Sequence, residues 1–168
     1  MKKNLVLLGM MGVGKSTLAK IVAKKLSLHF IDTDKNIESS NSMKIKDIFE
    51  KKGEKFFRTE EENEVLKSLK MENCIIALGG GAFLNNNIRD NVLKNSISIW
   101  LDADIKTLKK RLKWNDKRPL LKKNNNYKMI KKIYQERKKI YKLANHKMKC
   151  DKMNKSELAK KIILLYEK

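Results

Sequence analysis

Gly9, Gly14, Lys15 and Ser16 stand at the spacing G-x-x-x-x-G-K-[ST], a pattern suited to gripping a polyphosphate. Glycines let main-chain N–H groups turn inward around phosphate oxygens, where side chains would block close approach. Lys15 brings a compact positive charge to the β- and γ-phosphates, and the Ser16 hydroxyl is the kind of hard oxygen ligand that Mg²⁺ takes. Gly12, Val13, Gly14, Lys15, Ser16 and Thr17 are therefore the expected nucleotide-binding loop.

A second set of residues could handle an acceptor. Asp32 and Asp34 lie two apart at the end of "HFIDTD", and on a strand such side chains leave the same face. Beside a phosphate loop they could help hold hydrated Mg²⁺ and take a proton from an attacking hydroxyl. The competing reading is that one of them caps the following helix. Gly79-Gly80-Gly81 follows an apolar run, and three consecutive glycines make sense where a ligand touches main chain. Arg58 sits three residues before Glu61 and four before Glu62, spacing that by itself predicts a helix-surface ion pair. With Arg118 and Arg137 it nevertheless makes more arginine than a nucleotide needs. Arginine forks match carboxylates bidentately, so an acidic substrate is expected.

Other residues are assigned to structure. "SISIWLD" ending at Asp102 imitates a magnesium-binding aspartate, but Asp102 or Asp104 is expected to cap the next helix. Trp100 is read as core, and His29 and His146 have no neighbours at metal-ligand spacing.

The elements that must position these residues follow from periodicity. Leu5-Val6-Leu7-Leu8 is a continuous apolar run, as in a strand buried on both faces. Leu18, Ile21, Val22 and Leu26 have helical spacing, so the loop feeds a helix N-terminus, which favours anions. A secretion signal is the other reading of this N-terminal stretch; the interrupting glycines and the lack of a small-residue cleavage site argue against it. Beyond it, "CIIAL", "SISIWL" and "HKMKC" read as strands. "KIKDIFEKKG", "EKFFRTEEENEVLKSLK", "NNIRDNVLKN", "DIKTLKKRLK", "YKMIKKIYQERKKIYKLA" and "KSELAKKIILLY" read as helices. The alternation predicts one domain over residues 1–168: a three-layer α/β/α fold on a parallel sheet. Ligands are then expected at the carboxyl ends of the strands. The polar stretch from Trp114 to Asn126, which holds Pro119, is a candidate lid over the phosphates.

The net charge of +21 alone would suggest nucleic acid. Because the lysines are spread along the whole chain, solvated helix faces are expected instead, with no nucleic-acid partner. No apolar run approaches the roughly 20 residues of a membrane span. Cys74 and Cys150 are expected to be reduced and buried, in a cytoplasmic protein.

In their order and approximate spacing, "GMMGVGKST", "DTD", "FFRTEE", "LGGGAF", "KRPLL" and "ERKKIY" resemble the shikimate kinase family over essentially the whole chain. The resemblance implies a P-loop fold with a five-stranded parallel sheet, a helical substrate-binding segment (about 33–61) and a mobile lid (about 114–126). It implies transfer of the ATP γ-phosphoryl group to the 3-hydroxyl of shikimate, with Mg²⁺, by a monomer. Residue by residue, it makes Lys15 the phosphate-neutralising lysine and gives the metal to Ser16 and Asp32. Asp34 becomes the candidate base that holds substrate hydroxyls. Arg58 and Arg137 grip the substrate carboxylate, oriented by Glu61; this replaces the surface ion-pair reading of Arg58. Gly79, Gly80 and Gly81 contact the substrate ring, Phe49 and Phe57 wall its pocket, Arg111 covers adenine, and Arg118 acts in catalysis and ATP binding from the lid. Ala77 stands where some relatives carry a hydroxyl residue.

Overall fold

A computed structural model describes residues 3–112 and 126–167. Five strands, β1 (Asn4–Gly9), β2 (His29–Asp32), β3 (Cys74–Ala77), β4 (Ser96–Asp102) and β5 (His146–Lys149), form one sheet in the order β2-β3-β1-β4-β5. Every neighbouring pair is parallel. The helices are α1 (Lys15–Leu26), α2 (Thr33–Asn41), α3 (Ile45–Leu69), α4 (Asn86–Asn95), α5 (Ile105–Leu112), α6 (Asn126–Tyr141) and α7 (Lys155–Glu167). A 3₁₀ turn spans Ala82–Leu84.

The inner strands β1 and β3 are buried at every position. That burial is why they read as unbroken apolar runs rather than alternating ones. Trp100 is fully buried and packs on Tyr141, and Cys74 and Cys150 are buried and unpaired. Among the described residues, no helix is long and apolar enough to cross a membrane.

Register sets the site. Asp32 pairs with Ala77, Leu7 with Ala77, and Gly9 with Leu101. The phosphate loop, the aspartate pair and the triple glycine therefore all emerge along one edge of the sheet, as parallel α/β topology requires.

Three expectations change. The strand in "HFIDTD" stops at Asp32, and Thr33 and Asp34 begin α2. Asp32 and Asp34 thus do not leave a strand on one face. Helix α2 itself has little periodic signal because only Thr33 and Ile37 are buried. Its start is fixed by a cap: Asp32 Oδ1 accepts the Lys35 N–H at 3.2 Å. At α5 the Asp104 carbonyl accepts the Leu108 N–H at 3.0 Å. Asp102 is buried and turned away to other partners.

Helix α3 carries a kink at Gly53, where φ is 83° and ψ 165°. Only glycine enters that region without strain. The kink re-aims the second half of α3, which bears Phe57, Arg58 and Glu61. No atom would crowd a Cβ at Gly53, so Gly53→Ala isolates the backbone effect. It should destabilise the fold by about 1–3 kcal/mol in urea unfolding. A change within about 0.5 kcal/mol, the range of an ordinary surface substitution, would contradict the role given to this glycine.

Candidate active site

The phosphate loop joins β1 to α1. Gly9, Gly12 and Gly14 all have positive φ. At Gly9 a side chain is doubly excluded, since a Cβ would strike the Leu101 carbonyl. Lys15 Nζ donates to the carbonyls of Gly9 at 2.9 Å and Met10 at 3.1 Å, which lays its charge across the loop. Ser16 Oγ donates to Asp32 Oδ2 at 2.6 Å, so the loop and the end of β2 present adjacent hard oxygens. Arg111 of α5 donates Nη1 to the Val13 carbonyl at 2.9 Å. Val13 is buried and Thr17 exposed. Among the described residues, no group of three or more His, Cys, Asp or Glu side chains could hold a metal. The Ser16–Asp32 pair instead suits a cation that keeps several of its waters, as Mg²⁺ does.

On the acceptor side, Thr33 does the joining. Its Oγ1 donates to the Ala77 carbonyl at 3.3 Å and accepts the Gly79 N–H at 3.1 Å. These bonds lock the start of α2 to the end of β3 and bring Asp34 over the triple glycine.

Each of the three glycines lies against a different charged side chain. A Cβ on Gly79 would overlap Asp34 Oδ1 and come within 2.8 Å of Glu61 Oε1. One on Gly80 would lie 3.1 Å from Arg137 Nη1, and one on Gly81 only 2.6 Å from Arg58 Nη1. None of the three has a positive φ. They are glycines for room, not for backbone freedom. Among the described residues, the N–H groups of Gly80 and Gly81 have no acceptor.

Arg58 makes the ion pair that its spacing predicts, with Glu61 at 2.7 Å, and a second with Glu54 at 3.1 Å. Glu62 is not a partner; it accepts from Asn85 and Asn87 instead. The pair is no ordinary surface pair, because Glu61 is 2 % exposed while Arg58 is about a third exposed. Burial works against the Arg58 charge, yet Glu61 and Glu54 outweigh it and hold the guanidinium above its ordinary value. Burial also pushes the Glu61 carboxyl up, and Arg58 offsets this only in part. Arg137, on α6, is 8 % exposed and donates Nη1 to the Gly80 carbonyl at 3.0 Å. The rings of Phe49 and Phe57 lie 4.8 Å apart, and the Arg58 guanidinium stands 5.3 Å over Phe57.

The structure thus brings Asp34, Phe57, Arg58, Glu61, Gly79, Gly80, Gly81 and Arg137 together, with Phe49 behind Phe57. Lys15, Ser16, Asp32 and Arg111 gather at the phosphate loop. Arg118 and the candidate lid lie outside the described residues. Thr33, Glu54, Tyr134 and Tyr141 were missed by sequence reasoning. The two tyrosines flank Arg137 at −3 and +4, a same-face signal that could have found them.

An all-parallel five-stranded sheet, a phosphate loop opening α1 and carboxylates at the neighbouring strand end define a P-loop kinase of the α/β class. A family model, "SKI: Shikimate kinase", matches residues 11–167; the chain belongs to the shikimate kinase family. A shikimate kinase of Sulfurihydrogenibium sp. is 42 % identical over 161 residues, covering 96 % of each chain. The structure of a shikimate kinase from Acinetobacter baumannii in complex with shikimate superposes with a TM-score of 0.94 at 29 % identity, covering 98 % of this chain and 93 % of that one. A gluconokinase from Sinorhizobium meliloti covers 99 % of this chain and 92 % of its own at 14 % identity, with a TM-score of 0.59. It shares the fold alone.

The buried Glu61 carries a signed pH dependence. Its folded-state pKa lies above the ordinary 4.5, so its contribution to stability is full below that value and is lost as pH rises through the folded one. Glu61→Gln cannot titrate. Chemical unfolding from about pH 4.5 to 7 should show the parent losing stability relative to this variant as pH rises; a pH-independent difference would refute the assignment.

Proposed function

We propose that this protein transfers the γ-phosphoryl group of ATP to the 3-hydroxyl of shikimate, giving shikimate 3-phosphate and ADP. The observation that carries the reading is the convergence of Arg58 from α3 and Arg137 from α6 on one glycine turn beside Asp34. Family membership and the likeness to a shikimate-bound relative support the substrate. The fold-only likeness of the gluconokinase gives no support to gluconate.

The roles follow from geometry and charge. Gly12, Val13, Gly14, Lys15, Ser16 and Thr17 enclose the phosphates, with the Lys15 ammonium neutralising developing charge on the transferred group. Arg111, tied to the Val13 carbonyl, borders the loop where the base of the nucleotide would lie. The adjacent oxygens of Ser16 and Asp32 would hold Mg²⁺, directly or through its waters. Mg²⁺, when bound, supplies charge neutralisation to the β- and γ-phosphate oxygens.

The planar forks of Arg58 and Arg137 bind the substrate carboxylate, with Glu61 fixing the Arg58 plane. The N–H groups of Gly80 and Gly81 offer hydrogen bonds to the ring substituents, and Phe49 and Phe57 cover the apolar part of the ring. Asp34 orients the 3-hydroxyl and takes its proton as the oxygen bonds to the γ-phosphorus. The bond from that phosphorus to the β–γ bridging oxygen breaks, and ADP leaves. One chain supplies all of these groups, and the catalyst is proposed to act as a monomer. The positive charge of +21 raises the local concentration of two anionic substrates without requiring nucleic acid. Unpaired buried cysteines fit a reducing, cytoplasmic compartment.

ADP release with shikimate, gluconate, AMP or single-stranded DNA offered separately tests the reading. Release should depend on shikimate and Mg²⁺; turnover with gluconate or AMP but not shikimate would sink it. Lys15→Ala should abolish turnover. Arg58→Lys separates clamp from surface ion pair. An ammonium cannot reproduce the fork, so shikimate binding should weaken at least about tenfold while binding of an ATP analogue stays within about twofold. If both ligands bind Arg58→Lys as they bind the parent, the clamp is wrong.

A further inference from the structure

Helix α6 carries more than Arg137. Tyr134 and Tyr141 lie on the same face, and each sends its hydroxyl to a different part of the active-site edge. Tyr141 is 1 % exposed and donates to the Gly80 carbonyl, the same oxygen that receives Arg137 Nη1. Tyr134 donates to Asp102 Oδ1 at 2.9 Å. Asp102 closes β4 beside the end of β1, where the phosphate loop begins. It is 1 % exposed and is held by Lys147 and Lys149, each 3.1 Å from Oδ2.

Apolar contacts of Ile130 and Tyr141 press α6 onto the core, but such contacts are non-directional. By themselves they do not single out one register of the helix. Hydrogen bonds are directional, and these two straddle Arg137 by about one helical turn on either side. The Gly80 carbonyl offers two lone pairs, and α6 takes both. The C=O of Gly80 and the N–H of Gly81 are opposite ends of one planar amide. Holding the carbonyl toward α6 therefore turns the Gly81 N–H to the opposite side, away from α6. One contact sets two substrate-binding groups at once.

We propose that Tyr141, seconded by Tyr134, is a positioning residue that fixes the register of α6 and the Gly80–Gly81 peptide. It thereby tunes the affinity of the site for the substrate carboxylate and ring. The proposal rests on the functional reading above. Burial holds the Tyr141 hydroxyl above its ordinary value and, with Asp102, raises that of Tyr134 to about 12. Both therefore remain donors throughout the range in which the enzyme would be assayed. Neither touches the nucleotide side directly, so the effect separates by substrate.

Steady-state kinetics of the full-length parent, Tyr141→Phe and Tyr134→Phe, with thermal midpoints in parallel, decide it. Tyr141→Phe keeps the ring against Trp100 and leaves Arg137 on the Gly80 carbonyl, so no buried acceptor is orphaned. It should raise KM for shikimate about 3- to 10-fold, the worth of one net hydrogen bond, with KM for ATP within about twofold. Tyr134→Phe should move KM for shikimate in the same direction by less. A parental KM for shikimate in Tyr141→Phe, whatever its thermal midpoint, overturns the proposal. So does an equal rise in both KM values, or a fall in kcat alone, which would mark a merely structural role. Should Tyr141→Phe fail to fold, the same criterion applies to Tyr134→Phe, whose side chain is only part-buried. An active parent with unchanged variants removes this inference alone; a parent inert toward shikimate removes the functional reading with it.

Discussion

Asp34, Glu61, Arg58 and Arg137 all rest on a stretch of main chain that has no room for a side chain. Oxygen atoms of Asp34 and Glu61 occupy the place of a Gly79 Cβ, and guanidinium nitrogens crowd those of Gly80 and Gly81. This steric constraint decides the rest of the acceptor site. Four charged groups from α2, α3 and α6 can converge because the turn between β3 and the 3₁₀ helix lets them approach to contact. Thr33 then holds the turn against α2, and Arg137 with Tyr141 holds it against α6. The turn joins α2 and α3 to α6, which lies far from both in sequence.

Bringing charges together out of water costs stability unless they compensate one another. Glu61 shows the balance: it is nearly inaccessible, its carboxyl is pushed up by burial, and Arg58 recovers part of the loss. Removing one member would strand the others, so the cluster is a set rather than a collection of independent contacts. Glu61 keeps the Arg58 fork oriented before substrate arrives, and the Gly80 carbonyl does the same for Arg137, which is where preorganisation helps phosphoryl transfer. The apolar sheet beneath supplies the stability that such an arrangement consumes. Its inner strands are buried throughout, and Trp100, Leu101 and the β1 side chains fill the space behind the site.

The nucleotide side is organised differently. There the chain folds on itself locally: glycines with positive φ shape the loop, and Lys15 bonds to carbonyls five and six residues before it. Among the described residues, Ser16–Asp32 and Arg111–Val13 reach across the fold. A local device of this kind is legible in a sequence because spacing along the chain is spacing in the site.

Legibility elsewhere follows the same rule. The buried strands β1, β3 and β4 were evident because burial on both faces demands continuous apolar runs. The long helices were evident because one-sided burial imposes a 3.6-residue period. Helix α2 was not, since it buries only Thr33 and Ile37 and owes its start to a cap rather than to periodicity. The ordered motifs carried the family and with it the candidate site. Their residue types alone assigned Arg58 to a surface pair with Glu61 or Glu62, and left Asp102 or Asp104 as a cap. Tertiary structure decided that Glu61 is buried while Glu62 turns to α4, that Asp102 anchors α6, and that Tyr141 shares the Gly80 carbonyl with Arg137. Those choices depend on contacts between residues 23 to 61 positions apart in the chain. Sequence by itself determined the local chemistry of the phosphate loop and the alternation that builds the sheet, because both are written in short-range spacing. Which charged groups are buried, and against what, was decided only when parallel register brought the strand ends side by side.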